Sequence, residues 1–308
     1  MKKIFTLLFI FSFLLKVEAQ DDLLNMLNQE NPQKPVPVFA TFKSTRVITG
    51  QSIEHISAKH LNFVILHRFG EINKGAYELW GLDQANMRLV FDYGITDRIQ
   101  VGVARSSLNK TYDGNLKIKL VKQSKGKGGM PVSIGYYGNV AVNSMKWADP
   151  TRNNYFTSRM SFFNQLIIAR KFGDRLSLQI APCMVHENLV KYSSDLNTTF
   201  ALGTGGSIKL NRSFRLNFEY YPRLTGKDMK SSSGSTLYDY LGLGVDIETG
   251  GHVFQIMFCN GVGMLEQQMI KNTETTWFNS KGLTNAGVRL GFNISRTFSF
   301  DHSTKKAY

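Results

Sequence analysis

The residues of this 308-residue chain best suited to chemistry are His186 and Glu187, which lie close in sequence to Ser193 and Ser194. A serine nucleophile, a histidine base and a carboxylate form the triad of many hydrolases, which makes a lipid hydrolase one hypothesis. A triad is defined by geometry rather than by proximity in sequence, and nothing in the sequence brings these side chains together. We therefore predict no catalytic residues and no enzyme activity.

The sequence also contains no motif for a metal or a cofactor. The six histidines are scattered without an HExxH motif, and Cys183 and Cys259 form no CxxC or CxxCH motif. The stretch from Gly203 to Gly206 lacks the Lys-Ser/Thr pair of a phosphate-binding loop. The prediction is no metal site, no cofactor-binding residues and no cofactor, with both cysteines as free thiols.

Polar side chains recur at every second position in several segments, a spacing that places them on one face of a strand. If the strands close into a barrel, that face lines the lumen. The predicted lining residues are Arg88, Asp92, Arg98, Gln100, Lys117, Lys119, Arg215, Asn217, Glu219, Arg289 and Asn293. Six of the eleven are basic, which favours small anionic solutes if the lumen is an open pore. In the alternative, the charges pair across strands and fill the lumen as a polar core.

The elements that would position these residues are β-hairpins. From Met87 to Ala104, apolar and polar residues alternate on both sides of a short turn at 94–97, which predicts a hairpin with one apolar face. The strand candidates are 60–69, 85–93, 98–106, 113–123, 130–142, 157–172, 175–186, 197–210, 213–222, 237–248, 252–262 and 284–300. Short turns alternate with long polar links between them. We therefore predict an all-β fold, an antiparallel transmembrane β-barrel of about 12 strands with 14 as the alternative.

The N-terminus predicts export. Two lysines precede an apolar stretch that ends in a small-residue cleavage site, so residues 1–19 are predicted to be a cleaved signal peptide. Residues 20–59 are predicted to be a periplasmic lead-in or plug, with one strand candidate at 38–48. Residues 60–300 would form the barrel and residues 301–308 a C-terminal tail. After Gln20, no apolar run reaches the roughly 18 residues of a membrane helix.

The chain is strongly basic. Its formal charge is +14, and loss of residues 1–19 lowers this to +12 because three lysines and one glutamate are removed. Such an excess suits lipid phosphates or anionic solutes, whereas export argues against nucleic acid. The predicted partners are outer-membrane lipid, a small anionic solute and the barrel-assembly machinery. That machinery would bind the C-terminal strand, which ends in Phe298 and Phe300.

Several stretches of the chain resemble a known family. They are Thr41–His55, Leu61–Gly70, Trp80–Ser106 and Lys110–Gln123, with a looser match that extends to Phe300. The family is a Bacteroidota outer-membrane β-barrel family of unknown function, described as a membrane-bound β-barrel domain. The resemblance implies the fold and the compartment but no activity. Its most recognisable motif is His67, Arg68, Phe69 and Gly70, to which no chemistry is attached.

Three functions compete at this point. The leading hypothesis is a non-enzymatic, porin-like protein of the Gram-negative outer membrane, acting as a narrow solute pore or transport accessory with a basic lumen. The second is a closed structural or partner-binding barrel, which the long loops and residues 20–59 motivate. The third is a barrel-embedded lipid hydrolase. The sequence leaves the choice among them open.

Overall fold

The protein folds into a closed antiparallel barrel. The computed structural model describes residues 35–300 except for 148, 191, 194, 231–233 and 279–286, so the predicted signal peptide and C-terminal tail lie outside the described residues. The barrel strands are β1 (His60–Glu71), β2 (Ala85–Gly94), β3 (Ile99–Ser106), β4 (Tyr112–Val121), β5 (Ser133–Val142), β6 (Met160–Phe172), β7 (Leu176–Glu187), β8 (Thr198–Lys209), β9 (Phe214–Tyr221), β10 (Tyr240–Thr249), β11 (His252–Cys259) and β12 (Arg289–Ser299).

Each strand pairs with its neighbours in sequence, and β12 pairs with β1 to close the barrel. The closing register runs from Gly291 opposite Arg68 to Ser299 opposite His60. The predicted barrel of 12 strands is confirmed, and the alternative of 14 is wrong. Every predicted barrel strand overlaps an observed one, because period-two alternation marks each strand independently.

Side chains alternate between the two faces of the barrel wall. On β2, Met87, Phe91 and Tyr93 are exposed on the outside, whereas Arg88 and Asp92 are buried on the inside. Neighbouring strands continue the apolar outer surface, where the rings of Phe63 and Phe91 stack with centroids 4.9 Å apart. An apolar outer face and a polar inner face are typical of a membrane barrel.

The two ends of the barrel differ in their connections. Turns at 95–98, 173–175, 210–213 and 250–251 and the longer connection 122–132 lie at one end, which we call the short-turn end. The connections 72–84, 107–111, 143–159, 188–197, 222–239 and 260–288 lie at the other, the long-loop end. Its described 3₁₀ helices are Ile72–Lys74, Ala76–Gly81, Leu108–Lys110 and Phe156–Arg159. No helix among the described residues is long and apolar enough to cross a bilayer.

The strand predicted at 38–48 is wrong. In this part of the chain only Val36–Pro37 forms a strand pair, with Ser124–Lys125, and Arg46 forms a single bridge with Gln51. The physical reason is that pairing of β12 with β1 leaves the barrel no free strand edge. A segment that alternates like a strand must then satisfy its backbone groups in another way.

Most of that segment runs into the barrel lumen instead, as part of a longer loop. We call residues 41–56 the inner loop; it enters from the short-turn end and turns back at Val47–Gly50, where the Val47 amide donates to the Gly50 carbonyl at 3.0 Å. From the long-loop end, the inner helix (Glu266–Lys271) also enters the lumen, and all six of its residues are buried. Both inserted segments therefore lie within the barrel.

Candidate functional site

The tip of the inner loop is held by polar groups of the barrel wall. The Glu219 carboxylate accepts hydrogen bonds from the Thr49 amide at 2.7 Å and from the Gly50 amide at 3.0 Å. The Thr49 hydroxyl lies 2.7 Å from the Tyr240 hydroxyl and accepts a bond from Arg68 at 2.9 Å. A Cβ atom at Gly50 would collide with the Tyr221 hydroxyl, so only glycine allows this close approach.

The rest of the inner loop is bonded to several strands. On one side, the Lys117 ammonium donates to the Glu54 carbonyl at 2.6 Å and to the Thr45 carbonyl at 3.3 Å. On the other sides, amide nitrogens of the wall donate to backbone carbonyls of the loop, at 2.7 to 3.1 Å: Gln179 to Gln51, Gln255 to Val47 and Asn293 to Ile48. These bonds replace the ladder bonds that a strand would have made.

The inner loop and the inner helix meet through a buried ion pair. Arg46 Nη1 lies 3.2 Å from Glu266 Oε1, and both side chains are at most 1% exposed. The Gln51 amide donates to the same carboxylate oxygen at 3.0 Å, and Arg46 Nη1 donates to the Thr49 carbonyl at 2.7 Å. The two inserted segments thus form one connected body inside the barrel.

A second buried ion pair joins β2 to β4. Arg88 donates to both carboxylate oxygens of Asp113, at 2.6 and 3.3 Å, and to the Met264 carbonyl at 3.1 Å. Asn139 donates to Asp113 at 2.8 Å and accepts from Gln267 at 2.7 Å, which extends the network to the inner helix. This arrangement is the cross-strand pairing that the polar-core alternative describes.

Apolar contacts fill the opposite half of the lumen. There the inner loop packs against inward side chains of β6 to β11 and against the inner helix. The buried cluster includes Phe42, Val47, Ile48 and Ile53 of the loop, Phe163, Ile167, Ala169, Ala181, Cys183, Val185, Ala201, Tyr221, Tyr240, Met257 and Cys259 of the wall, and Met269 and Ile270 of the helix. Cys183 and Cys259 are buried free thiols.

The polar wall is the inward face of β3, β4 and β5, with Gln100, Asp113, Asn115, Lys117, Tyr137 and Asn139. Along it lie buried side-chain atoms that have no hydrogen-bond partner among the described residues. They are His55 Nε2 and Gln100 Nε2 towards the short-turn end, Thr45 Oγ1, Arg46 Nε and Nη2, Asn115 Oδ1, Tyr137 Oη and Glu266 Oε2 in the middle, and Gln267 Oε1 and Gln268 Oε1 towards the long-loop end. Ten of the seventeen unpartnered atoms among the described residues lie along this wall, and the other seven lie elsewhere.

Most of the residues predicted to line the lumen lie inside the barrel. Arg88, Asp92, Gln100, Lys117, Arg215, Asn217, Glu219 and Asn293 are buried there. Lys119 is half-buried at the short-turn mouth, and Arg289 pairs with Glu71 at 2.9 Å near the long-loop mouth. The placement of Arg98 is wrong: it is exposed in the turn before β3, because the alternation ends where the strand ends.

Three acidic residues that face the lumen were missed. Asp113 and Asp246 lie on strands whose alternation could have revealed them, whereas Glu266 lies in a connection that gives no periodic signal. Among the described residues, the buried charged ones are Arg46, Arg68, Arg88, Lys117, Arg215, Arg223 and Lys271 against Asp92, Asp113, Glu219, Asp246 and Glu266. The predicted excess of basic charge is therefore largely offset inside the barrel.

The family motif divides between the two faces of β1. Arg68 points inward and donates to Asn293 at 3.0 Å, in addition to its bond with Thr49. His67 stacks on Phe292, with centroids 4.9 Å apart, and packs beside Phe69. Gly70 lies against the chain at Gly81, where a Cβ atom would approach the Gly81 carbonyl oxygen to 3.0 Å. These contacts give the motif a structural role.

The described hydrolase candidates are bonded to groups other than one another or exposed. The His186 ring nitrogen lies 2.8 Å from the Thr198 hydroxyl, and Glu187 forms an ion pair with Lys271 at 2.6 Å. Ser193 is exposed and Ser194 lies outside the described residues. Within the part of the chain that the structure describes, no cluster of three or more His, Cys, Asp or Glu residues could hold a metal ion.

His55 is a titratable group of the inner loop. Its Nδ1 lies 3.0 Å from the Ile53 carbonyl oxygen. Burial, followed by the positive charges of Lys117 and Lys119, lowers the pKa of His55 from 6.5 to about 3, against the opposite effect of the Ile53 contact. The ring is therefore neutral near pH 7 and adds no charge to the lumen.

Comparison with known proteins agrees with this architecture. The family described as membrane bound beta barrel domain matches residues 42–298, which include most of the inner loop and nearly the whole barrel. The chain belongs to this family. It is a membrane β-barrel, and no curated protein matches its sequence.

Solved structures with a similar chain path share little sequence with this barrel. The NanC porin is 8% identical, with 78% of this chain and 98% of that chain covered and a TM-score of 0.47. An outer membrane channel from Pseudomonas putida F1 is 10% identical over 80% and 97% of the two chains, with a TM-score of 0.43. Outer membrane phospholipase A from Escherichia coli is 11% identical over 77% and 92%, with a TM-score of 0.39. Likenesses this distant carry no information about activity.

Proposed function

We propose that this protein is a narrow pore of the bacterial outer membrane whose route follows the polar wall beside the inner loop. The observation that carries the proposal is the line of unpartnered buried polar atoms along that wall. A buried polar group without a partner costs roughly 1–3 kcal/mol. Water reaching these atoms from the two mouths would remove that cost, and a hydrated route would result.

The same proposal includes the location of the barrel and its partners. The apolar outer surface suits lipid, and the pairing of β12 with β1 supports a role for the C-terminal strand in assembly by the barrel-assembly machinery. A bacterial outer membrane is the compartment in which such barrels occur. A Bacteroidota source stays a prediction from the sequence.

The charges along the proposed route determine whether it favours anionic or cationic solutes. Charges along the polar wall are of both signs, with Arg46 and Lys117 beside Asp92, Asp113 and Glu266. A lining of one sign selects ions of the other sign, whereas a mixed lining does so weakly. We therefore propose a pore for small solutes with little preference between anions and cations, in place of a strongly anion-selective one.

Bilayer recordings of the detergent-folded protein test the pore directly. We expect small discrete current steps and a reversal potential near zero across a KCl gradient, because the route is narrow and its charges are mixed. A heat-modifiable gel shift provides the control that the barrel is folded. Complete silence from protein that passes this control would contradict the pore.

A closed structural or partner-binding barrel is the second candidate, and the apolar half of the lumen favours it. Four inner-loop side chains, Phe42, Val47, Ile48 and Ile53, are buried in that half. Burial of each such side chain stabilises the folded state by about 1.5–3 kcal/mol, so the loop does not leave the barrel easily. Silence in the recordings, together with a protein that co-purifies reproducibly, would favour this function.

A further inference from the structure

Two adjoining cavities open at the long-loop end of the barrel. Their volumes are about 280 and 320 Å³, and both are bordered by Asn109, Asn143, Glu187, Leu189 and Asn272. We call them together the outer cleft. Pockets for small molecules begin at roughly 300 Å³, so the outer cleft is large enough for a compact ligand.

The outer cleft is lined by amide groups with unused hydrogen-bonding capacity. Within the described structure, the side chains of Asn109 and Asn272 make no hydrogen bond. Gln267 and Gln268 border the 280 Å³ part of the cleft. Their amide nitrogens donate to Asn139 at 2.7 Å and to Thr111 at 3.3 Å, respectively. Their carboxamide oxygens are buried without a partner in the described structure. A carboxamide can both donate and accept hydrogen bonds.

The charged groups of the cleft are mostly engaged by the protein itself. Glu187 and Lys271 form an ion pair at 2.6 Å. The Arg159 guanidinium lies 3.6 Å from the centre of the Trp147 ring and donates to the Asn143 carbonyl at 2.9 Å. Between the amides, Met145, Met160 and Leu189 supply apolar surface. Apart from Lys146, which is exposed at the border of the cleft, the chemistry that remains available is therefore uncharged and amphipathic.

We propose that the outer cleft binds a neutral sugar. A sugar presents hydroxyl groups that donate and accept, which matches carboxamides, and it presents C–H faces that suit methionine and leucine side chains. A charged ligand would leave its charge poorly matched, because Glu187 and Lys271 already pair with each other. Asp195 and Lys230 are likewise engaged, by the Tyr192 amide and the Thr236 hydroxyl. The cleft lies at the long-loop mouth of the proposed route, because Gln267 and Gln268 border both. Binding at the cleft nevertheless does not require conduction through the lumen.

Binding can be measured by tryptophan fluorescence during titration with maltose and with glucose, in a detergent that has no sugar headgroup. Trp147 borders the cleft and provides the signal. The Gln268→Leu variant removes one carboxamide, and the Ser161→Phe variant fills the cleft without changing the inner helix. Gln84→Leu is the matched control, because Gln84 is an exposed glutamine at the same end of the barrel.

We expect saturable binding that Gln268→Leu weakens about three- to tenfold, as loss of a hydrogen bond to an uncharged partner does. Ser161→Phe should abolish binding, and Gln84→Leu should leave it unchanged. The proposal is overturned if the folded wild-type protein binds neither sugar, if Ser161→Phe binds as well as the wild type, or if glucuronate binds more tightly than glucose. Because the assay measures binding in detergent, its failure is distinct from an absence of pore conductance.

Discussion

A chain that lacks residues 35–56 will conduct several-fold more current per channel than the wild-type barrel. These residues include the inner loop, which occupies the lumen from the short-turn end to the Glu219 carboxylate on β9. Its removal leaves Glu219, Lys117 and Gln255 facing an open space, which water will fill because these groups must be hydrated or bonded. Planar bilayer recordings of single channels provide the measurement.

The control for that experiment is a deletion that changes the chain outside the lumen. Residues 149–153 form an exposed part of the connection between β5 and β6, and we expect their removal to leave the conductance unchanged. The heat-modifiable gel shift shows whether each variant is folded. A folded variant without the inner loop that conducts no more than the wild type would contradict the assignment of this loop as the main obstruction.

The second large effect is a loss of stability when the ion pair between Arg88 and Asp113 is broken. Both side chains are 0% exposed, and the apolar cluster around them includes Val90 and Met264. Removal of one partner from a buried pair leaves an unpaired charge and costs about 3–5 kcal/mol. We expect this loss in the free energy of unfolding for both Arg88→Met and Asp113→Leu, measured by urea unfolding in lipid vesicles.

The double variant distinguishes charge burial from loss of packing. With both charges removed, no unpaired charge remains, so Arg88→Met combined with Asp113→Leu should be more stable than either single variant. The matched control is the pair of Lys43 and Glu248, whose side chains are 23% and 41% exposed. Its disruption should cost at most about 1 kcal/mol. Equal costs for the two pairs would mean that water reaches Arg88 and Asp113 freely.

The barrel could be predicted because its signal is local and repeated. Along β2, the alternation of Met87, Arg88 and Leu89 indicates both the strand and the face of each side chain. The inward position of Glu219 follows from the same rule. The rule fails at Arg98, because this residue is the last one of the turn and β3 begins only at the next position.

The closure of the lumen could not be predicted in the same way. Residues 38–48 alternate as a strand does, and nothing local shows that the barrel offers them no edge. The pairing of Arg46 with Glu266 joins residues 220 positions apart, so no spacing in the sequence indicates it. Only the closed topology shows that the inner loop must find its partners inside the barrel.

A disulfide cross-link tests the position of the inner loop most directly. A Cβ atom on Gly205 of β8 would lie 3.3 Å from both methyl carbons of Val47, a separation that suits a disulfide between cysteines at these positions. The experiment uses Val47→Cys with Gly205→Cys in a chain carrying Cys183→Ala and Cys259→Ala. Gly114→Cys replaces Gly205→Cys in the control, because Gly114 faces the outside of the barrel.

After mild oxidation of the folded barrel, mass spectrometry of the digested protein identifies the cross-link. We predict a disulfide between positions 47 and 205 and none between positions 47 and 114. The absence of the first cross-link from folded protein, or its presence at the same yield in the control pair, would contradict an inner loop that fills the lumen.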